Sequence, residues 1–260
     1  MQPTLQFLSD LANEAGDIIR AGYGTNFLVR FKSEIDPVTE VDQRSEDALI
    51  RSIRDRFPLH TLITEESGKL NGSADYCWYI DPLDGTVNFS HGVPMFSVSI
   101  AYAEYGVVQL GAVFDPMRQE LFTAQRGAGA WLNGEPIHVS AQTELLHSLL
   151  VTGFPYNSHE IREVNLSNFA YFMRRSQGVR RLGSAALDLC YVAAGRLEGY
   201  WEMDIHPWDI AAGALIVEEA GGTVTTLQGA PDYFKPPYDL ISASPDIHAQ
   251  ILAGLRENGS

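Results

Sequence analysis

The chain reads as an α/β protein of layered sheets and helices, and three observations carry that reading. Leu8, Leu11, Ala15, Ile18 and Ile19 recur at helical spacing near the start. Residues 96–125 hold closely spaced strand-like runs broken by Tyr105-Gly106 and Asp115-Pro116 turns, which suits an antiparallel sheet rather than βαβ units. Beyond residue 149, strand-like and helical runs alternate.

Each element follows from a local signal. The first helix should end near Gly22 and Gly24, since glycine commonly closes helices. Leu49, Ile53 and Phe57 lie four apart, so a second helix fits 41–57 with Pro58 as its stop. Short strands follow at 61–64 and 76–81, the latter around the apolar run Cys77-Trp78-Tyr79-Ile80. The runs at 96–102, 107–114 and 121–124 make the antiparallel set. Further on come a strand at 149–153, helices at 159–175 and 184–195, and a strand at 197–201. A helix at 208–220, strands at 223–226 and 240–242, and a last helix from Pro245 complete the chain. The change of style near 140–150 divides it into 1–145 and 146–260, two halves of one compact unit.

Composition narrows the function. At 260 residues and 45% hydrophobic content, a large core is available. No run approaches the roughly 20 apolar residues that span a bilayer, so no membrane role is expected. Met1-Gln2-Pro3-Thr4 lacks the basic-then-apolar layout of a signal peptide, and Cys77 and Cys190 both sit in apolar surroundings. A cytoplasmic protein with two reduced, buried cysteines is the expectation. A net charge of −15 makes nucleic acid an unsuitable partner. An acidic protein acting on a phosphate ester would need cations between the two.

The densest chemistry lies in Asp81-Pro82-Leu83-Asp84-Gly85-Thr86-Val87-Asn88-Phe89. Directly after a buried strand, it offers two carboxylates, a turn glycine and a hydroxyl, where α/β proteins favour ligands. Such oxygen donors suit Mg²⁺, often held by one or two carboxylates plus substrate phosphate. An ordinary Asp-Pro/Asp-Gly turn is the bland alternative. Other acids stand beside turns or helix starts: Glu65 and Glu66 after a short strand, Asp42 at the second helix, Glu202, and Asp209 in Trp208-Asp209-Ile210-Ala211-Ala212-Gly213. Taken singly, each is equally well read as a helix-dipole complement or a solvated charge.

Jointly these blocks resemble the signature segments of the inositol monophosphatase family. The likeness extends through Asp36-Pro37-Val38-Thr39-Glu40-Val41-Asp42, Gly127-Ala128-Gly129-Ala130-Trp131-Leu132-Asn133-Gly134 and Gly183-Ser184-Ala185-Ala186-Leu187-Asp188-Leu189, in family order over nearly the whole chain. The resemblance implies an αβαβα sandwich, a homodimer and a lithium-sensitive, Mg²⁺-dependent phosphomonoesterase with two or three ions per site. It matches Glu65, Asp81, Asp84, Asp209 and the Leu83 carbonyl to metal ligands. It matches Asp42 and Thr86 to the pair that orients and deprotonates a metal-activated water, for which Glu65 also helps hold the ion. Gly85 and Thr86 would meet the phosphate. Gly183, Ser184, Ala185, Glu202 and Asp209 would meet the substrate's hydroxyls, and Lys32 matches a basic residue of the active-site loop. The metal-binding motifs then fall in 1–145, while 146–260 contributes Asp209 and substrate contacts.

Two rival hydrolases fail on the letters. Aligning Gly85-Thr86 with the Asp-x-Asp-Gly-Thr of haloacid-dehalogenase-type enzymes puts Pro82 where a nucleophile must stand. No Gly-x-Ser-x-Gly elbow occurs either. The expected substrate is myo-inositol 1-phosphate, with histidinol phosphate, fructose 1,6-bisphosphate, and NADP or 3′-phosphoadenosine 5′-phosphate as alternatives. A regulatory protein-binding module is the non-enzymatic alternative. The Arg180-Arg181 pair reads more readily as a surface or dimer-interface pair than as a contact for a second phosphate.

Overall fold

The computed structural model describes residues 2–31, 37–155 and 159–259. Helix α1 (Leu5–Gly22) is capped by Thr4, whose side chain accepts from the Phe7 N–H. A hairpin of β1 (Val29–Phe31) and β2 (Pro37–Thr39) leads into α2 (Glu40–Arg56). Strands β3 (His60–Thr64), β4 (Gly68–Leu70) and β5 (Ser73–Asp84) precede the single-turn helix α3 (Thr86–Ser90). Then follow β6 (Ser97–Glu104), β7 (Val107–Asp115), β8 (Glu120–Gln125), β9 (Gly129–Leu132) and β10 (Glu135–Pro136). The remainder comprises β11 (Leu149–Thr152), α4 (His159–Met173), β12 (Gly178–Arg180), α5 (Ala185–Ala193), β13 (Gly199–Glu202), α6 (Pro207–Glu219), β14 (Thr223–Thr225), β15 (Leu240–Ala243) and α7 (Pro245–Glu257).

Two sheets organise these elements. The larger runs β10-β9-β8-β7-β6-β5-β3-β4, and the smaller β12-β11-β13-β15-β14. Pairing from β5 to β10 is antiparallel throughout, as short turns between strands require. Strands β3 and β5 run parallel, as do β11 and its neighbours β12 and β13.

Three apolar clusters set the layers. Leu8, Leu11, Leu49 and Ile53 of α1 and α2 pack on Trp78, Ile100 and Tyr102 of the large sheet. On its other face, Val113 and Phe122 share a core with Leu189 of α5 and Ile210 and Leu215 of α6; Val151, Tyr200 and Leu240 of the small sheet close that core. Beyond the small sheet, Phe172, Ile251 and Leu255 of α4 and α7 cover Leu150, Trp201 and Ile241. The order helix, sheet, helix, sheet, helix is the expected αβαβα sandwich.

Most predicted elements stand within two or three residues of their expected limits. Six strands were not anticipated: β1, β2, β4, β9, β10 and β12. The strand expected to stop at Asp81 runs on to Asp84, through Pro82, at an irregularity in its pairing with β6. Both cysteines are buried and free, and no helix among the described residues is long and apolar enough to cross a membrane.

Candidate active site

Asp81 and Asp84 share a strand yet lie an odd number of residues apart, so strict alternation would turn them to opposite faces. The register prevents this. Asp81 pairs with Ser99 and Asp84 with Ser97, so β5 carries one extra residue there. That bulge sends Leu83 into the outer core and returns Asp84 to the inner face, where both acids line one pocket. Pro82 is tolerated because a bulge asks less of the hydrogen-bond ladder.

The parallel neighbour delivers a third acid. Thr64 pairs with Ile80, and the Glu65 N–H donates to the Ile80 carbonyl at 3.1 Å, so Glu65 leaves β3 beside Asp81. Its turn is held from behind: both oxygens of the buried Glu46, on α2, accept N–H groups, from Glu66 at 2.9 Å and Ser67 at 2.8 Å. A fourth acid arrives on the first turn of α6, where Asp209 accepts from the His206 N–H at 3.0 Å. The Ser99 hydroxyl donates to the Trp208 carbonyl at 3.1 Å and fixes that helix start against β6.

Several carboxylates are oriented by donors. Asp84 accepts from the Ser184 hydroxyl at 2.6 Å and from the Ala186 N–H at 2.8 Å, at the start of α5. The Leu83 N–H donates to Asp81 at 2.9 Å. Asp42 closes a capping box at α2, accepting from the Thr39 N–H at 2.9 Å and from the Thr39 hydroxyl. The Thr86 hydroxyl stands 2.8 Å from the other Asp42 oxygen and 3.0 Å from the Leu83 carbonyl, and has one proton to give. Between these groups sits Gly85, at φ 100; a Cβ there would come within 2.9 Å of the Met95 carbonyl oxygen.

Electrostatics mark the cluster as crowded with like charge. Burial, then Glu65, Asp84 and Asp209, push Asp81 well above the ordinary carboxylate range. Asp209 is raised by burial, then by Asp84 and Glu65. Asp84 reaches about 6, raised by burial and held back by its Ser184 and Ala186 bonds. Asp42 also reaches about 6, burial outweighing its Thr39 and Thr86 bonds. Among the described residues, no three such side chains already converge as a finished metal shell. They share a pocket wall and feel one another's charge without meeting at a point. An oxygen-only, mutually repulsive set is nonetheless the donor chemistry a hard divalent cation takes, and a cation would relieve the repulsion.

The other end of the pocket is built from the second half of the chain. Glu202, at the end of β13, accepts from the Tyr200 hydroxyl. Its carboxylate occupies the space where a side chain at Gly153 would begin, since a Cβ there would lie 1.9 Å from Oε2. Burial raises Glu202 to about 7 against Tyr200 and Arg181, which favour its charged form. Gly183, Ser184 and Ala185 line the same wall, with Asp188 on its buried side.

The pocket thus gathers Glu65, Asp81, Leu83, Asp84, Gly85, Thr86, Gly183, Ser184, Ala185, Glu202 and Asp209, with Asp42 bonded to Thr86 behind them. Lys32 and Asp36 lie outside the described residues. Arg180 ends β12 and Arg181 follows it; both are exposed, and Arg181 also lines the pocket. Glu46 and Asp188 were not singled out from the sequence, because an acid on a helix reads as solvated until its partners are known.

The profile of the inositol monophosphatase family matches residues 1–260. The chain is 45% identical over 255 residues to "Nus factor SuhB" of Pasteurella multocida, covering 97% of this chain and 95% of that protein. Against the Escherichia coli K12 protein of the same name, identity is 42% over 260 residues, covering 99% and 97%. Among solved structures, an inositol monophosphatase from Anabaena (Nostoc) sp. PCC 7120 superimposes with a TM-score of 0.88 at 41% identity, over 97% and 95% of the two chains. The extragenic suppressor protein suhB of Bartonella henselae does so at 0.93 with 36% identity, over 97% and 98%. Fold, motifs and likeness over the full length agree: the chain belongs to the inositol monophosphatase family.

Proposed function

We propose that this protein is a Mg²⁺-dependent phosphomonoesterase acting on a small hydroxylated phosphate ester, with myo-inositol 1-phosphate as the leading substrate. The observation that carries the reading is the meeting of Glu65, Asp81, Asp84 and Asp209 in one pocket beside the bonded pair Thr86–Asp42. Those four carboxylates and the Leu83 carbonyl would hold the metal. When bound, Mg²⁺ would offset the charge of the phosphate and its leaving oxygen and make a water acidic enough to attack.

The chain's own groups do the rest. Thr86 orients the attacking water and passes its proton to Asp42, whose carboxyl, at about 6, is matched to accept a proton near neutral pH. The Gly85–Thr86 turn cradles the phosphate through backbone N–H groups. Gly183, Ser184, Ala185 and Glu202 orient the alcohol, so that phosphorus and water are held in line; with a loose transition state, that positioning is most of the catalysis.

A substrate panel tests this. Inositol 1-phosphate, histidinol phosphate, fructose 1,6-bisphosphate and NADP are compared for phosphate release at saturating Mg²⁺ and after chelation. Chelation should abolish release, and inositol 1-phosphate should have the highest kcat/KM. Release that persists without divalent metal removes the metal reading. A second role, as a partner-binding protein, is favoured by the relatives named Nus factor SuhB. Partner capture from a bacterial extract by the wild type, retained by a variant without hydrolysis, would support it.

A further inference from the structure

Asn165 of α4 is fully buried, and its amide binds at one point of the small sheet. Its Nδ2 donates to the Gly153 carbonyl at 2.6 Å and to the Thr152 hydroxyl oxygen at 3.1 Å, while its Oδ1 accepts from the Trp201 indole N–H at 2.6 Å. The Thr152 hydroxyl in turn donates to the Trp201 carbonyl at 2.7 Å. Thr152 and Trp201 form the last pair of the parallel strands β11 and β13. Immediately beyond that pair come Gly153, Phe154 and Pro155 on one side and Glu202 on the other, and all four line the pocket. One turn further along α4, the Phe169 ring meets that of Phe154, their centroids 6.3 Å apart. Helix α4 therefore grips the lip of residues 153–155 twice.

The lip and Glu202 are fitted to each other. A Cβ on Gly153 would run into the Glu202 carboxylate, so where the lip stands decides where that carboxylate can stand. From another direction the Tyr200 hydroxyl donates to it. Stability gives no reason for an amide at this place. Trp201 belongs to an apolar core with Phe172 and Ile241, and a buried hydrogen-bonded group is worth little more than an apolar one of the same shape. What the amide adds is fixed geometry, since three bonds converge on one small planar group. We propose that Asn165 is a positioning residue: by holding the lip it fixes the Glu202 carboxylate, and so sets how well the site discriminates between leaving alcohols. The assignment rests on the phosphatase reading above and deepens it, placing part of the specificity in a helix behind the pocket wall. Asn165 itself lines no part of the pocket.

The test compares wild type, Asn165→Leu, Asn165→Asp and Gly153→Ala at saturating Mg²⁺. The two esters are myo-inositol 1-phosphate, whose alcohol carries further hydroxyls, and p-nitrophenyl phosphate, whose leaving group carries none. Asn165→Leu should lower the ratio of kcat/KM for the inositol ester to that for the aryl ester about tenfold, mostly through KM for the inositol ester. Asn165→Asp keeps the size and the acceptor for Trp201 but loses the donors to Gly153 and Thr152. It should lower the ratio too, which loss of packing would not. Gly153→Ala leaves Asn165 untouched and drives a methyl group into the space of the Glu202 carboxylate, so the ratio should fall again. In a Glu202→Ala background, Asn165→Leu should add less than about threefold, because the group it positions is gone. Parallel losses on both esters, an unchanged ratio, or a full further loss in that background overturns the assignment while leaving the phosphatase reading in place. If Asn165→Leu does not fold, Asn165→Asp and Gly153→Ala decide, and an unchanged ratio in either overturns it. A wild type that releases phosphate from no ester overturns both.

Discussion

The two ends of the pocket are built on opposite plans. At the acidic end, Asp42, Asp81, Asp84 and Asp209 each accept at least one hydrogen bond from the protein, and three come from backbone N–H groups of their own turns or helix starts. Their positions are set before anything binds. At the far end, Glu202 has one donor and Asp188 has none at Oδ1. Preorganisation suits the end where charge must be stabilised during reaction, since groups already aimed cost nothing to reorganise. A sparser set of donors suits an end that would meet the variable part of a substrate.

The largest effect should come from weakening the fixed end. Asp84→Asn keeps the Ser184 and Ala186 contacts but removes one charge from the set proposed to hold the metal. Activity should fall on the order of a thousandfold, as expected for losing several kcal/mol of charge stabilisation. Calorimetry should show weaker Mg²⁺ binding, and near-normal turnover would show that the acids of this end do not act as ligands.

Next comes a contrast in proton linkage. Glu202 is raised from 4.5 to about 7, burial being the main cause. Its proton is held more tightly in the folded chain, so its contribution to stability is whole below pH 4.5 and is lost as pH climbs through 7. That loss approaches about 3 kcal/mol. Urea denaturation of the metal-free protein should show Glu202→Gln losing less stability than wild type across that window. Parallel curves would mean that Glu202 is not the group responsible.

Removing the Thr86 hydroxyl should cost about a hundredfold in kcat with little change in KM, because the role proposed for it is proton transfer rather than binding. A change confined to KM would place Thr86 at the far end of the comparison. Smallest is the effect of Glu46→Ala, which frees the turn that presents Glu65. The Mg²⁺ concentration for half-maximal activity should rise about tenfold, with kcat nearly restored at high Mg²⁺. A drop in kcat that Mg²⁺ cannot restore would give Glu46 a different task.

These contrasts also explain what was legible in the letters. Helix α2 and the strand around Trp78 were readable because periodicity and flanking Pro58 and Gly85 are local signals. Glu65 and Asp81 each follow a strand in the sequence, and the parallel pairing of β3 with β5 sets their exits side by side. The β1–β2 hairpin and β12 escaped because three-residue strands have no period to detect. The continuation of β5 through Pro82 escaped because a bulge is decided by the partner strand. The unpartnered, buried oxygen of Asp188 is invisible in a helix-start motif, since lacking a partner is a property of three-dimensional surroundings.

One bond pattern has a consequence for how this molecule comes to work at all. Asp84 takes its two donors from Ser184 and Ala186, 100 and 102 positions further along the chain. The acid is therefore aimed only when a long stretch of polypeptide has folded back and α5 has settled between the sheets, a closure that is slow and entropically costly. The strand that bears it can form without that contact, but the acid is oriented only with α5 in place. Any activity that rests on Asp84 would consequently report a chain folded from end to end.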